Sequence, residues 1–148
     1  RVVLLAVTLG TQSEMLLRRE RALSATDGLL ADACASSLVE QAANVLNGHI
    51  VEEAAARGLA ATTRFSPGYG DLPLSCQPAF LVASGADRAL GICATAAHLL
   101  VPAKSITAVI GLYPGRGFVR EGARCSTCPV ADTCALRAQG RTCYGNPA

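Results

Sequence analysis

Between Asp27 and Ala56 the chain contains no proline, and apolar residues recur as Leu30, Cys34, Leu38, Ala42 and Val45. That spacing is helical, so the segment is expected to form one long helix with a single apolar face, capped by Asp27 and stopped by Gly58. Small side chains at Ala31, Ala33, Ala35, Ser36 and Ser37 let such a helix lie close against a sheet or another helix. The other elements must be arranged along it.

The apolar run Val2-Val3-Leu4-Leu5-Ala6-Val7 reads as a buried strand ending at Gly10. Thr11-x-x-Glu14 has the form of a capping box and predicts a helix through about Ser24. A shorter helix over Ser75 to Ala83 should end at Gly85. Ile92 to Val101 and Ser105 to Tyr113 then read as two strands of an antiparallel hairpin, turned at Pro102-Ala103-Lys104. Elements in this order predict an α+β fold, an antiparallel sheet packed by long helices.

At 148 residues, of which 51% are hydrophobic, there is room for one domain with its own core and a small appendage. The expected division is 1–113 for the main domain and 114–148 for a linker and cysteine-rich module. Arg1 stands at the head of an apolar run, so an initiating Met and what preceded it are expected to be missing. No stretch reaches the roughly 18 uncharged apolar residues of a membrane span, and no membrane partner is expected.

Arg64-Phe65-Ser66-Pro67-Gly68-Tyr69-Gly70-Asp71 follows the long helix. It sets a fixed cation at the mouth of a turn in which glycines let backbone approach a ligand and Pro67 stiffens the loop. A guanidinium there offers two parallel donors to a carboxylate. Some thirty residues on, the chain reads Leu100-Val101-Pro102-Ala103-Lys104-Ser105-Ile106. The pair of segments, an Arg-x-x-x-Gly-Tyr loop and then an apolar-Pro-x-x-Ser turn, resembles the S-adenosylmethionine-binding activation domain of cobalamin-dependent methionine synthase. The resemblance covers roughly residues 1 to 112 and is nearest to short relatives of that domain, which read Phe-Ser-Pro-Gly-Tyr-Gly-Asp. It implies that Arg64, Ser66, Pro67, Gly68 and Tyr69 bind S-adenosylmethionine, and that Glu40, on the preceding helix, is the acidic contact for its sulfonium or ammonium group. A further acidic contact of that family falls outside this sequence, and the acidic position several residues before Arg64 is here Gly58 or a neighbour.

Cys125-x2-Cys128-x5-Cys134-x8-Cys143 gathers four thiols in nineteen residues, enough to fill an iron–sulfur or zinc site. Disulfides are the alternative, and sequence does not separate iron from zinc. Cys34, Cys76 and Cys93 read as single buried thiols, and His49 and His98 as satisfied helix and strand residues. Arg116, Arg120, Arg124, Arg137 and Arg141 outnumber Glu121 and Asp132 in this tail. A four-thiolate site carries about two negative charges, which accounts for the excess without nucleic acid.

The resemblance implies a domain that holds a methyl sulfonium over a corrinoid carried by a partner methyltransferase and supports its reductive methylation; a cytoplasmic location is expected, and the cysteine cluster, if it holds iron and sulfur, is expected to supply the reducing electron in place of that family's flavodoxin. Such work is positioning, and no Ser-His-Asp, Cys-His or paired-carboxylate set argues for hydrolysis. Two other readings stay open. One is a zinc-stabilised docking module for a corrinoid protein, and the other is a zinc ribbon that binds nucleic acid.

Overall fold

The apolar run at the head of the chain forms strand β1 (Val2–Thr8), and it pairs along its whole length with a strand from the far end of the domain, β5 (Ser105–Pro114). The register sets Val3 opposite Ile110 and Leu5 opposite Ala108, antiparallel. A computed structural model describes residues 1–115, 118–119 and 131–140. In it β5 lies inside a four-stranded sheet of order β1-β5-β2-β6, where β2 is Leu59–Thr62 and β6 is Phe118–Val119. The β2–β5 pair is antiparallel and the β2–β6 pair parallel.

Helix α1 (Gly10–Leu23) and helix α2 (Ala25–Ala56) turn back on each other at Ser24, and α2 packs on one face of the sheet. Leu5, Ala61, Ala108 and Ile110 form that core, with Ile50 and Val51 of α2 against them. Burying a side chain the size of Leu5 or Ile110 contributes about 1.5–3 kcal/mol. The opposite face, near Ala6, carries a second cluster of Leu81, Ala86 and Ile92. These come from helix α3 (Gln77–Ser84), the single turn α4 (Ala86–Ala89) and the loop before a two-stranded ribbon of β3 (Cys93–Ala94) and β4 (Leu100–Val101). The short helix α5 (Ala135–Ala138) stands apart in the chain.

The α+β class is as expected, and so are a strand at 2–8, a long helix to residue 56, a helix ended by left-handed Gly85, and a long strand from Ser105. Several expectations are corrected. Helix α2 buries Gly28, Ala35, Val39, Ala43 and Ala54, while Leu30, Leu38 and Val45 of the predicted inner face are 60%, 61% and 52% exposed. The pattern of large apolar residues marked the outer side. The inner side is small because close approach to another backbone favours alanine and glycine. The cap of α2 is Ser24, whose Oγ accepts from the Asp27 amide, so Asp27 lies in the first turn. Thr11 and Glu14 make no capping box: α1 begins at Gly10 without a side-chain cap, and Glu14 Oε1 instead accepts from the Ala103 amide. Ile92–Val101 is not one strand. It doubles back as the β3–β4 ribbon, and β5 takes β1 as its partner instead. Cys34 and Cys93 are exposed and Cys76 is half-buried, so none is a core thiol.

The turn between β4 and β5 is clamped onto the helical layer. Lys104 Nζ donates to Asp32 Oδ2 (2.9 Å) and Ser36 Oγ (2.8 Å), and Arg21 pairs with the other Asp32 oxygen. The Lys104 hydrogen bond, chiefly, holds the Asp32 carboxyl below its ordinary value of 3.8, assisted by the charges of Lys104 and Arg21 and opposed by burial. A depressed carboxylate stabilises the fold above its unfolded value and loses that contribution as pH falls through its folded value. Asp32→Asn should therefore lower the melting temperature at pH 7, and the difference from the parent should close as pH drops below 3.8. A constant difference from pH 7 to pH 2.5, followed by calorimetry, would refute the clamp as an ionic one.

Candidate functional site

Arg64 leaves the end of β2 beneath the middle of α2. Its Nη2 donates to Asn44 Oδ1 at 2.8 Å and lies 3.4 Å from Glu40 Oε2, so two residues one helical turn apart hold the guanidinium by one edge. The side chain is only 20% exposed, and Nη1 is buried with no partner among the described residues. A buried, charged donor left unmade costs free energy, and an anionic group supplied from outside would remove that cost.

The loop after Arg64 is fixed to the sheet. Phe65 exchanges both backbone hydrogen bonds with Val109 of β5, at 2.9 and 2.8 Å. The chain then turns tightly, with the Gly68 amide donating to the Leu72 carbonyl and the Tyr69 amide to the Ser66 carbonyl. Gly68 has φ +96°, and a Cβ there would meet Leu74 Cδ1 at 3.3 Å. Gly70, at φ +52°, would drive a Cβ into the Phe65 ring at 2.8 Å. Backbone conformation disfavours a side chain at both positions, and at Gly70 the Phe65 ring takes the space as well.

Two adjoining cavities open against this loop. One, of about 250 Å3, is lined by Glu40, Arg64, Phe65, Ser66, Tyr69 and Ile106. The other, of about 200 Å3, shares Glu40, Ser66, Tyr69 and Ile106 with it and adds Pro67, Gln77, Leu100, Ser105 and Thr107. They form one cleft with a charged end at Arg64 and a neutral end at Gln77. Of the residues singled out in the sequence, Glu40, Arg64, Ser66, Pro67 and Tyr69 line it, and Gly68 shapes the turn without lining it. The Tyr69 residue is 69% exposed, which puts it at the rim.

Asn44, Gln77, Ser105, Ile106 and Thr107 were not foreseen as site residues. Asn44 could have been found, since it follows Glu40 by four on a helix and must share its face. Ser105 belonged to the quoted turn motif; its Oγ donates to the Pro102 carbonyl at 2.6 Å and lies 2.8 Å from Thr8 Oγ1, which ties the turn to β1. Gln77 gave no signal, because it looks like any polar residue opening a helix.

A larger cavity, of about 750 Å3, lies at the other end of α2, lined by residues such as Val3, His49, Ile50, Glu53, Arg57 and Leu112. Arg57 and Glu53 there pair with each other, and Arg1 and Glu52 also line the hollow beside its apolar residues. His49 is an exposed helix residue 3.8 Å from Glu52. His98, expected in a strand, sits in a turn at φ +61° with Nδ1 buried and without a partner among the described residues, so it is neither a strand residue nor satisfied.

Of the four-cysteine set, only Cys134 falls among the described residues, where it is a half-buried free thiol preceding α5. Cys125, Cys128 and Cys143 lie outside them. Among the described residues no group of His, Cys, Asp or Glu could hold a metal ion, and no helix is long and apolar enough to cross a membrane. No family model matches the chain, and no curated protein matches it.

Proposed function

We propose that the cleft between α2, the Arg64–Asp71 loop and β5 binds S-adenosylmethionine, and that the domain thereby supports reductive methylation of a corrinoid held by a partner methyltransferase in the cytoplasm. The observation that carries this reading is Arg64, a guanidinium four-fifths buried and gripped on one edge, with Nη1 left over for an anion. Its neighbour Glu40 makes the pair neutral overall, and a neutral pair of opposite charges suits a zwitterionic amino-acid group. Arg64 would take the carboxylate, and Glu40 the ammonium or sulfonium.

When bound, the cosubstrate supplies a methyl group to the cobalt of the partner's corrinoid. The chain's own contribution is placement: the loop is bolted to β5, Tyr69 stands at the rim where a flat macrocycle would meet it, and Phe65 braces the turn from within. Calorimetric titration of the full-length protein with S-adenosylmethionine tests the reading. A single saturable site per chain supports it, and no heat and no saturation would refute it.

Cys125, Cys128, Cys134 and Cys143 would hold an iron–sulfur cluster or zinc, since four thiolates suit either. Anaerobically purified protein should carry close to one zinc or one cluster's iron per chain, lost in Cys134→Ala. Metal-free protein with these thiols oxidised in pairs would show a disulfide staple instead.

A further inference from the structure

The neutral end of the cleft has a definite hydrogen-bonding polarity. Gln77 opens α3 and is 4% exposed, and Thr107 of β5 is 2% exposed, yet both line the cavity of about 200 Å3. The Thr107 hydroxyl donates to Gln77 Oε1 at 2.9 Å. That bond uses the single hydroxyl hydrogen and engages the amide oxygen. What the pair can then offer a ligand is a donor, Gln77 Nε2, beside an acceptor, Thr107 Oγ1. Around them Pro67, Leu100 and Ile106 supply apolar walls suited to a flat ring.

We infer that Gln77 and Thr107 read the amino-purine edge of the ligand whose charged end Arg64 holds, and so make the site specific for an adenine over a hypoxanthine base. An adenine presents a ring-nitrogen acceptor beside an exocyclic amine donor, the complement of Nε2 and Oγ1. Hypoxanthine reverses both, with a ring N–H beside a carbonyl oxygen, so donor would face donor and acceptor face acceptor. The Thr107–Gln77 hydrogen bond fixes both groups, and a ring lying over them would exclude water, so neither could then turn to water to recover a lost partner. The two ends belong to one cleft, because Glu40, Ser66, Tyr69 and Ile106 line both cavities.

This inference rests on the proposed S-adenosylmethionine site, and the test separates the two. Affinities for S-adenosylmethionine and for its hypoxanthine counterpart, S-inosylmethionine, are measured by calorimetry on the parent protein and on Gln77→Leu, Gln77→Glu and Arg64→Ala. The parent should prefer the adenine ligand by about 10- to 100-fold. Gln77→Leu should bring that ratio near one. Gln77→Glu, with the same shape but an acceptor where the donor was, should lower the ratio or reverse it. Arg64→Ala should weaken both ligands and leave the ratio intact. The ratio reports only folded, binding-competent molecules, so partial loss of fold does not mimic the result. A parent that binds both ligands equally, or Gln77 variants that keep the parental ratio, would overturn the inference while leaving the site standing. A parent that binds neither ligand would overturn both.

Discussion

Replacing Arg64 with alanine should weaken S-adenosylmethionine binding about 10- to 100-fold, the worth of a charge-assisted pair of about 1.5–3 kcal/mol. Arg64→Lys should recover only part of the loss. A lysine has one point of charge where the guanidinium has a planar fork, and it cannot both hold Asn44 and present a second parallel donor. The fold should survive either change, because Glu40 is mostly exposed and is not stranded when its partner goes. Far-ultraviolet circular dichroism checks the fold and calorimetry reads the affinity. An unchanged dissociation constant in a folded Arg64→Ala protein would remove the carboxylate assignment.

A second large effect is expected where no ligand is involved. At the corner between α1 and α2, a Cβ on Gly28 would lie 2.6 Å from Arg21 Cγ and 2.7 Å from Arg21 Cα. The second of these is backbone, so the clash cannot be relieved by rotating a side chain. Gly28→Ala should force the helices apart and cost about 1–3 kcal/mol even after the better helix propensity of alanine is counted. Gly48, on the same helix, has nothing among the described residues within 4 Å of its would-be Cβ. Gly48→Ala should therefore move the other way, raising stability by up to about 1 kcal/mol. Thermal unfolding of the two variants side by side is decisive: equal shifts of the same sign would mean that Gly28 is not a packing glycine.

Much of the candidate cleft was legible because its residues are local in sequence. Arg64 through Tyr69 are consecutive, their turn is written in proline and glycine, and Glu40 was named by resemblance. The neutral end was illegible because Gln77 and Thr107 come together only when α3 is laid against β5. The choice of inner face on α2 failed for a different reason. Leucine is usually the better marker of a core, but α2 lies close against α1 near Gly28 and buries mainly small residues as far as Ala43, while larger Ile50 and Val51 reach the sheet core further along. Short strands such as β2, Leu-Ala-Ala-Thr, carry too little alternation to be seen without their partners. Glu14 and Thr11 had the right spacing for a cap, yet the Ala103 amide claimed the carboxylate from a distant turn.

The pairing of β1 with β5 has a consequence for how the protein comes into being. Val3 and Ile110 are opposite each other but roughly a hundred residues apart in sequence, and β5 separates β1 from β2. As the chain emerges in order, the helical corner can form early, but β1 and β2 must wait for the strand that joins them. Thr107, the anchor of the Arg64 loop at Val109 and the turn that Lys104 clamps all arrive on that same late strand. The β1-β5-β2 part of the sheet and the cleft should thus be completed together once β5 is in place, and a chain ended before Ser105 should have neither.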